Sequence, residues 1–279
     1  MNGAIVSRKG EDIAAEVIMM RTASKGPFVI VEGPTDERFI WPRIRQSCYV
    51  AIGSGRSTVE RAVTMLDAQH AGNSADYVGI VDEDYDWLIN YSPVSSNILK
   101  TDPRDVEGLL FRSAAVLSVL AEFANRGAVQ HFENRESCPV LTAVLMRAEP
   151  FGRIRMVNAI GPMVDISDLK PVRFYQPGWS YDIEAAKQLA VALGVAPDVP
   201  TLEASMLALS PPDIWHCVRG HDLVDVFVGG LIHELGGTGV NKINVERVLR
   251  QAMSASEFAT SLLYARLDAW GKKNRIVLN

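Results

Sequence analysis

The tightest constraint on the fold is a four-residue run, Phe28-Val29-Ile30-Val31, apolar throughout and stopped at once by Glu32-Gly33-Pro34. The run has strand length and is rich in β-branched residues, which suit a pleated surface. It shows no polar alternation, so both of its faces must be covered, as in a parallel sheet flanked by helices. Two further runs repeat the pattern. Tyr49-Val50-Ala51-Ile52 ends in Gly53-Ser54-Gly55-Arg56, and Tyr77-Val78-Gly79-Ile80-Val81 ends in Asp82-Glu83-Asp84-Tyr85-Asp86. Asn97-Ile98-Leu99 is a fourth candidate strand.

Helical patterns lie around these runs. Residues 11–22 form a short helix with acids in its first turn, broken by Lys25-Gly26-Pro27. A helix starts at Thr35 and is cut by Pro42, and another is expected over 58–70 with Ser57 or Thr58 as its cap. A further helix runs from about Arg104 through Glu107 toward Phe123. Strand and helix thus alternate over 27–112, which implies an α/β sheet. Beyond it, segments 113–126, 137–148, 182–194, 201–209, 221–235, 243–253 and 256–270 have helical periodicity, while 153–176, with Pro162 and Pro171, reads as extended or irregular. The expected organisation is an α/β core with an N-terminal helix over 1–112, then a mostly helical region over 113–279 for an interface or substrate binding. The boundary is soft because a helix crosses it.

Composition narrows the classes. With 279 residues, 48% of them hydrophobic, the chain can bury a core, and wholesale disorder is excluded. It contains no uninterrupted apolar stretch of about 18 residues, so no membrane partner is expected. Met1–Gly10 has no apolar signal-peptide core. Three scattered cysteines, Cys48, Cys138 and Cys217, suit a reducing cytoplasm and match no zinc pattern. The net charge of −5 argues against nucleic-acid binding by bulk positive charge. Local grip on phosphates, directly or through metal ions, stays open.

The acids are not spread evenly. Residues 1–112 carry 16 Asp and Glu against 12 Lys and Arg, and the remainder carries 17 against 16. Within the first part they gather at strand ends: Glu32 and Asp36 after the first strand, and Asp82, Glu83, Asp84 and Asp86 after the third. Ligands of open α/β sheets bind at the carboxyl ends of strands. Carboxylates brought together there repel one another unless a cation joins them, and hard divalent ions prefer such oxygen donors. In extended backbone Asp82, Asp84 and Asp86 would share one side. An EF-hand is excluded, because Trp87 stands where its loop needs Gly and Pro93 where it needs Glu.

Each motif has a plain structural counterpart. Val31-Glu32-Gly33-Pro34-Thr35-Asp36 can be a strand-ending turn with a helix-start acid, and Asp82–Asp86 a solvated loop. In Thr101-Asp102-Pro103-Arg104-Asp105-Val106-Glu107, Thr101 or Asp102 can cap a helix and Arg104 can pair with Glu107 on its surface. Arg56, with Gly55 and the backbone N–H groups opening helix 58–70, could hold a phosphate, or be an ordinary turn and cap. The loop is not a Walker loop, since no Gly-Lys-Ser/Thr follows. His221-Asp222, with His216, His233 and Asp225, invites a metal-dependent HD phosphohydrolase reading, against which stands a simple helix start. Arg153, Arg155, Lys170 and Arg173 form a modest basic stretch, a solvated face rather than an RNA groove.

Together, Glu32-Gly33 at one strand end and Asp82-Glu83-Asp84 about fifty residues on at another resemble a Toprim domain. The Gly53–Arg56 loop, Asp86, Arg104-Asp105-Val106-Glu107 and Gly220-His221-Asp222-Leu223 bring the likeness closer to the OLD-related Toprim nucleases, in the branch that includes the AriB effector of the PARIS anti-phage system. That resemblance implies a Toprim-like parallel-sheet core with one or two Mg²⁺ (or Mn²⁺) ions near Glu32, Asp82 and Asp84. Asp36, Asp86 and Glu107 would be supporting or second-metal ligands. It also implies phosphodiester cleavage in nucleic acid, with transfer RNA a suggested target, an ABC-type ATPase partner (AriA-like) that holds the effector, and a homodimer on release. Arg56 stands where many relatives have Lys. Two other classes remain open from the residues: a haloacid-dehalogenase-like phosphatase, which also ends a strand in Asp-x-Asp, and a non-catalytic assembly subunit.

Overall fold

The computed structural model describes residues 8–24, 26–44, 47–69 and 75–277. In chain order the first elements are α1 (Gly10–Met20), β1 (Phe28–Val31), α2 (Pro34–Ile40) with a 3-10 turn at Trp41–Arg43, β2 (Tyr49–Ile52), α3 (Arg56–Gln69), β3 (Tyr77–Val81), α4 (Asp86–Ile89) and β4 (Ile98–Lys100). Helices α5 (Val106–Phe111), α6 (Ala115–Phe123), α7 (Arg126–Glu136) and α8 (Val140–Ile160) follow. Then come a short hairpin of β5 (Tyr175–Gln176) and β6 (Ser180–Tyr181), α9 (Ile183–Ala192), α10 (Val199–Ala208), α11 (Ile214–Cys217), α12 (Gly220–His233), α13 (Lys242–Ala252), α14 (Ala255–Ala259) and α15 (Leu262–Asn274). Among the described residues no helix is long and apolar enough to cross a membrane.

The chain forms two compact units. The first comprises Met1–Glu83, Ser92–Asp102 and Ala255–Asn279, and the second Asp84–Tyr91 and Pro103–Ser254. The first holds a parallel four-stranded sheet in the order β2-β1-β3-β4. Every residue of the central strands β1 and β3 is buried, which is why their sequences are unbroken apolar runs. Helix α3 packs on β3 with Val59, Ala62, Val63 and Leu66, a stripe at helical spacing. Gly79 permits that approach: a Cβ there would lie 2.9 Å from Val59 Cγ1 and 3.0 Å from Val63 Cγ2. Helix α1 covers α3, and α15 lies against β4.

The division therefore differs from a single cut near residue 112. Segment 103–112 belongs to the helical unit, and 255–277 return to the sheet. Their anchors are polar: Asp102 accepts from the backbone N–H groups of Leu263 at 2.8 Å and Leu262 at 3.3 Å, and Trp270 Nε1 donates to Asn97 Oδ1 at 2.9 Å. Sequence periodicity does not register such long-range ties.

The helical unit is built around α8, against which α4, α7, α9, α10, α11 and α12 pack. Residues 153–160, expected to be irregular, are the second half of α8. Pro150 removes one helical hydrogen bond without ending the helix, because Ala143, Val144 and Ala148 before it and Phe151, Ile154 and Met156 after it are fully buried. The helix expected from Arg104 toward Phe123 breaks at 112–114 into α5 and α6, and that over 256–270 breaks before Ser261, whose hydroxyl caps α15 at Tyr264 N. Residues 127–136, to which the sequence assigned no element, lie in α7, with Asn125 as its cap. Ser57 and Thr58 lie inside α3 and do not precede it. His70, expected to end that helix, and Lys25, expected to break the first one, fall outside the described residues.

Candidate functional site

The sheet brings two of the predicted acids together. Strands β1 and β3 are neighbours with Val31 level with Ile80, so Glu32 and Asp82 emerge side by side at their carboxyl ends. The Asp82 backbone N–H donates to Glu32 Oε1 at 2.9 Å. Both side chains are half-buried. On the β2 side, the Gly53–Gly55 loop is zipped to the same edge, with Gly53 N donating to the Val31 carbonyl at 2.8 Å and Gly55 N to that of Glu32 at 3.0 Å. Gly55 has φ +95, and nothing lies within 4 Å of where its Cβ would be. Thr58 closes the loop by accepting from Ser54 N at 2.8 Å and donating to the Gly55 carbonyl at 2.6 Å. Arg56 pairs with Glu60 at 2.9 Å and reaches the Asp82 carbonyl at 3.4 Å.

On the β4 side stands Thr101, which the sequence suggested only as a helix cap. It is 1% exposed. Its N–H extends the ladder to the Val81 carbonyl at 2.9 Å. Its hydroxyl donates to Asp82 Oδ1 at 3.3 Å and accepts from Glu83 N at 3.2 Å. From α15, Arg266 donates to the carbonyls of Lys100 at 2.7 Å and Thr101 at 3.2 Å and lies 3.6 Å from the Glu83 carboxylate. Thr101 follows its strand just as Glu32 and Asp82 follow theirs, and that position was the signal for it. Arg266 gave none. Asp36 turns back to its own helix, where Oδ2 accepts from Gly33 N at 2.8 Å.

The remaining predicted acids belong to the helical unit. The expectation that Asp82, Asp84 and Asp86 line one side of an extended segment fails, because Asp84 is left-handed with φ +48 and Asp86 opens a helix. Asp84 N donates to the Arg104 carbonyl at 3.1 Å, and its carboxylate takes a 3.4 Å contact from the Arg104 guanidinium. That guanidinium lies over the Tyr85 ring, 4.1 Å from its centroid. Tyr85 is buried, its hydroxyl donating to the Cys217 carbonyl at 2.9 Å, and burial pushes the phenol up from its ordinary pKa. Asp86 is buried.

Glu107 is no surface partner of Arg104: both are buried. Burial pushes the Glu107 carboxyl up to about 7, and the Asp105 carboxylate adds to the effect. Asp105 caps α5 at Gly108 N and accepts from Gly220 N, each at 2.8 Å. A Cβ on Gly220 would lie 2.3 Å from Asp105 Oδ1, so this packing requires glycine.

The HD-type reading fares worse. Asp222, buried, forms a two-point ion pair with buried Arg155, Nε to Oδ2 at 2.6 Å and Nη2 to Oδ1 at 3.0 Å. His216 pairs with Asp213 at 2.7 Å, His233 stacks on Tyr175 with centroids 4.2 Å apart, and Asp225 binds Lys242 at 2.6 Å. The basic stretch is divided: Lys170 and Arg173 are exposed, as a solvated face requires, whereas Arg155 lies in the core and Arg153 is tied to Glu149 and the Met206 carbonyl.

Among the described residues, no group of three or more His, Cys, Asp or Glu side chains is placed to hold a metal ion. The full set of six ligands is therefore not assembled. Glu32 and Asp82 remain, two hard oxygen donors, which suit Mg²⁺: that ion keeps several waters and often takes only one or two carboxylates. A scan against family models and a search of curated proteins both return no match to this chain.

Proposed function

We propose that this chain is a Mg²⁺-dependent endonuclease of the Toprim type that cleaves phosphodiester bonds in nucleic acid, with transfer RNA as its target. The observation that carries the reading is the meeting of Glu32 and Asp82 at the carboxyl ends of the two central parallel strands. Those two residues would hold Mg²⁺ or Mn²⁺, and a divalent ion bound there acidifies water and offsets charge on a phosphorane-like transition state. The Glu32 carboxylate orients on the Asp82 amide and can accept a proton from an attacking water. Arg56 and the Gly55 amide flank the pair and can take a phosphate oxygen. Asp84, Asp86 and Glu107 belong to the helical unit and Asp36 is held by the Gly33 N–H, so the proposal rests on Glu32 and Asp82. The resemblance of the motifs extends the proposal to a cytoplasmic anti-phage effector restrained by an ABC-type ATPase and dimeric on release.

The purified chain should cleave transfer RNA with Mg²⁺ or Mn²⁺ and not with chelator. Glu32→Gln and Asp82→Asn should each reduce cleavage by at least about 100-fold, since even supporting residues around a metal cost 10–100-fold. Circular dichroism of both variants should match the wild type. Undiminished divalent-dependent cleavage in either folded variant refutes the assignment. Co-expression with an ABC-type ATPase encoded beside it should give a complex on size-exclusion chromatography.

A further inference from the structure

We propose that Thr101 is the positioning residue for Asp82, holding that carboxylate in the orientation that receives a divalent ion. The inference rests on the reading of Glu32 and Asp82 as metal ligands. A hydroxyl has one proton to give and two lone pairs. The Thr101 oxygen accepts from the Glu83 N–H at 3.2 Å, and its hydroxyl donates to Asp82 Oδ1 at 3.3 Å. At 1% exposure, water does not compete for it. The side chain that makes this contact is itself fixed at both ends of its backbone. The Thr101 N–H is bonded to Val81 of the neighbouring strand and its carbonyl to Arg266 of α15. Asp102, the next residue, caps α15. The C-terminal helix thereby braces the strand end that aims Asp82, and Arg266 draws the adjacent Glu83 carboxylate to itself at 3.6 Å. Polar partners that orient metal ligands set affinity by an order of magnitude or more.

The test is Mn²⁺ binding to the full chain, measured by calorimetry with the metal alone, alongside thermal melting without metal. Thr101→Val keeps the shape and removes the hydroxyl, and should weaken Mn²⁺ binding about 10- to 100-fold. Thr101→Ser restores the donor and should bind within about threefold of the wild type. Thr101→Cys, a weak donor of similar size, should fall between them, and it serves in place of valine if that variant does not fold. Wild-type affinity in Thr101→Val or Thr101→Cys overturns the inference, as does an equal loss in the serine variant. Failure of the wild type to bind Mn²⁺ at all overturns the metal reading beneath it. Binding by the wild type that is lost in Asp82→Asn but indifferent to Thr101 leaves that reading standing and removes only the positioning role.

Discussion

Asp222→Asn removes one charge from the buried Arg155–Asp222 pair and changes almost nothing else in size. With contacts of 2.6 and 3.0 Å, the attraction at an effective dielectric of 20 is about 6 kcal/mol. Desolvating both ions cancels much of that, so the intact pair contributes little net stability. Breaking it is another matter. The Arg155 guanidinium, 6% exposed, would stay buried without its counter-charge, which costs about 3–5 kcal/mol. The expected consequence is a melting temperature lower by roughly 6–20 °C, at about 2–4 °C per kcal/mol for a unit of this size. A double replacement, Arg155→Met with Asp222→Leu, should recover most of the loss, giving a coupling energy far from zero in a double-mutant cycle. Thermal unfolding followed by circular dichroism reads Asp222→Asn and the four proteins of that cycle: the wild type, Arg155→Met, Asp222→Leu and the double replacement. A shift below about 3 °C in Asp222→Asn, or single effects that simply add, refutes the reasoning. So does the pattern a metal-binding Asp222 would give: unchanged melting with loss of divalent binding.

Two more perturbations test the helical unit. The Glu107 carboxyl titrates near 7 when folded, against an ordinary value of 4.5. The stability it contributes is thus fully present below about pH 4.5 and lost as pH rises through 7, so Glu107→Gln should flatten that slope. The variant should exceed the wild type by roughly 3 kcal/mol at pH 8 in urea titrations; a parallel pH profile would contradict the burial argument. Gly230→Ala places a Cβ 2.2 Å from Trp179 Cζ2, a ring that is fully buried with its Nε1 bonded to the Val226 carbonyl. It should cost about 1–3 kcal/mol by overpacking and alter the tryptophan emission; an unshifted spectrum with unchanged melting would show that α12 yields freely.

The sheet was legible because burial on both faces writes itself locally. Strands β1, β2 and β3 occupy the runs expected of them, and the residues that end β1 and β3 are the ones that meet. Legibility stopped where partners lie far apart in sequence. Arg155 looks like a surface cation until Asp222, 67 residues on, removes it from solvent. Asp102 looks like a local cap until its acceptors prove to serve a helix 160 residues away. Thr101 carried no chemical signature of its own, since a threonine after a strand is ordinary until the neighbouring strand presents an aspartate to it. The alternation of Asp82, Asp84 and Asp86 misled because Asp84 has a positive φ, with its N–H bonded to the carbonyl of Arg104, a partner distant in sequence.

The fastening of α15 to the end of β4 also sets a clock. Asp102 leaves the ribosome some 160 residues before the amides it caps. At about 5–20 residues per second that interval is roughly 8–30 s. Throughout it the nascent sheet has β4 as a bare outer strand, an edge open to unwanted pairing. Its support for Thr101 is missing over the same period. A chain with nuclease activity would therefore be held short of competence during its own translation, through the order in which its segments emerge.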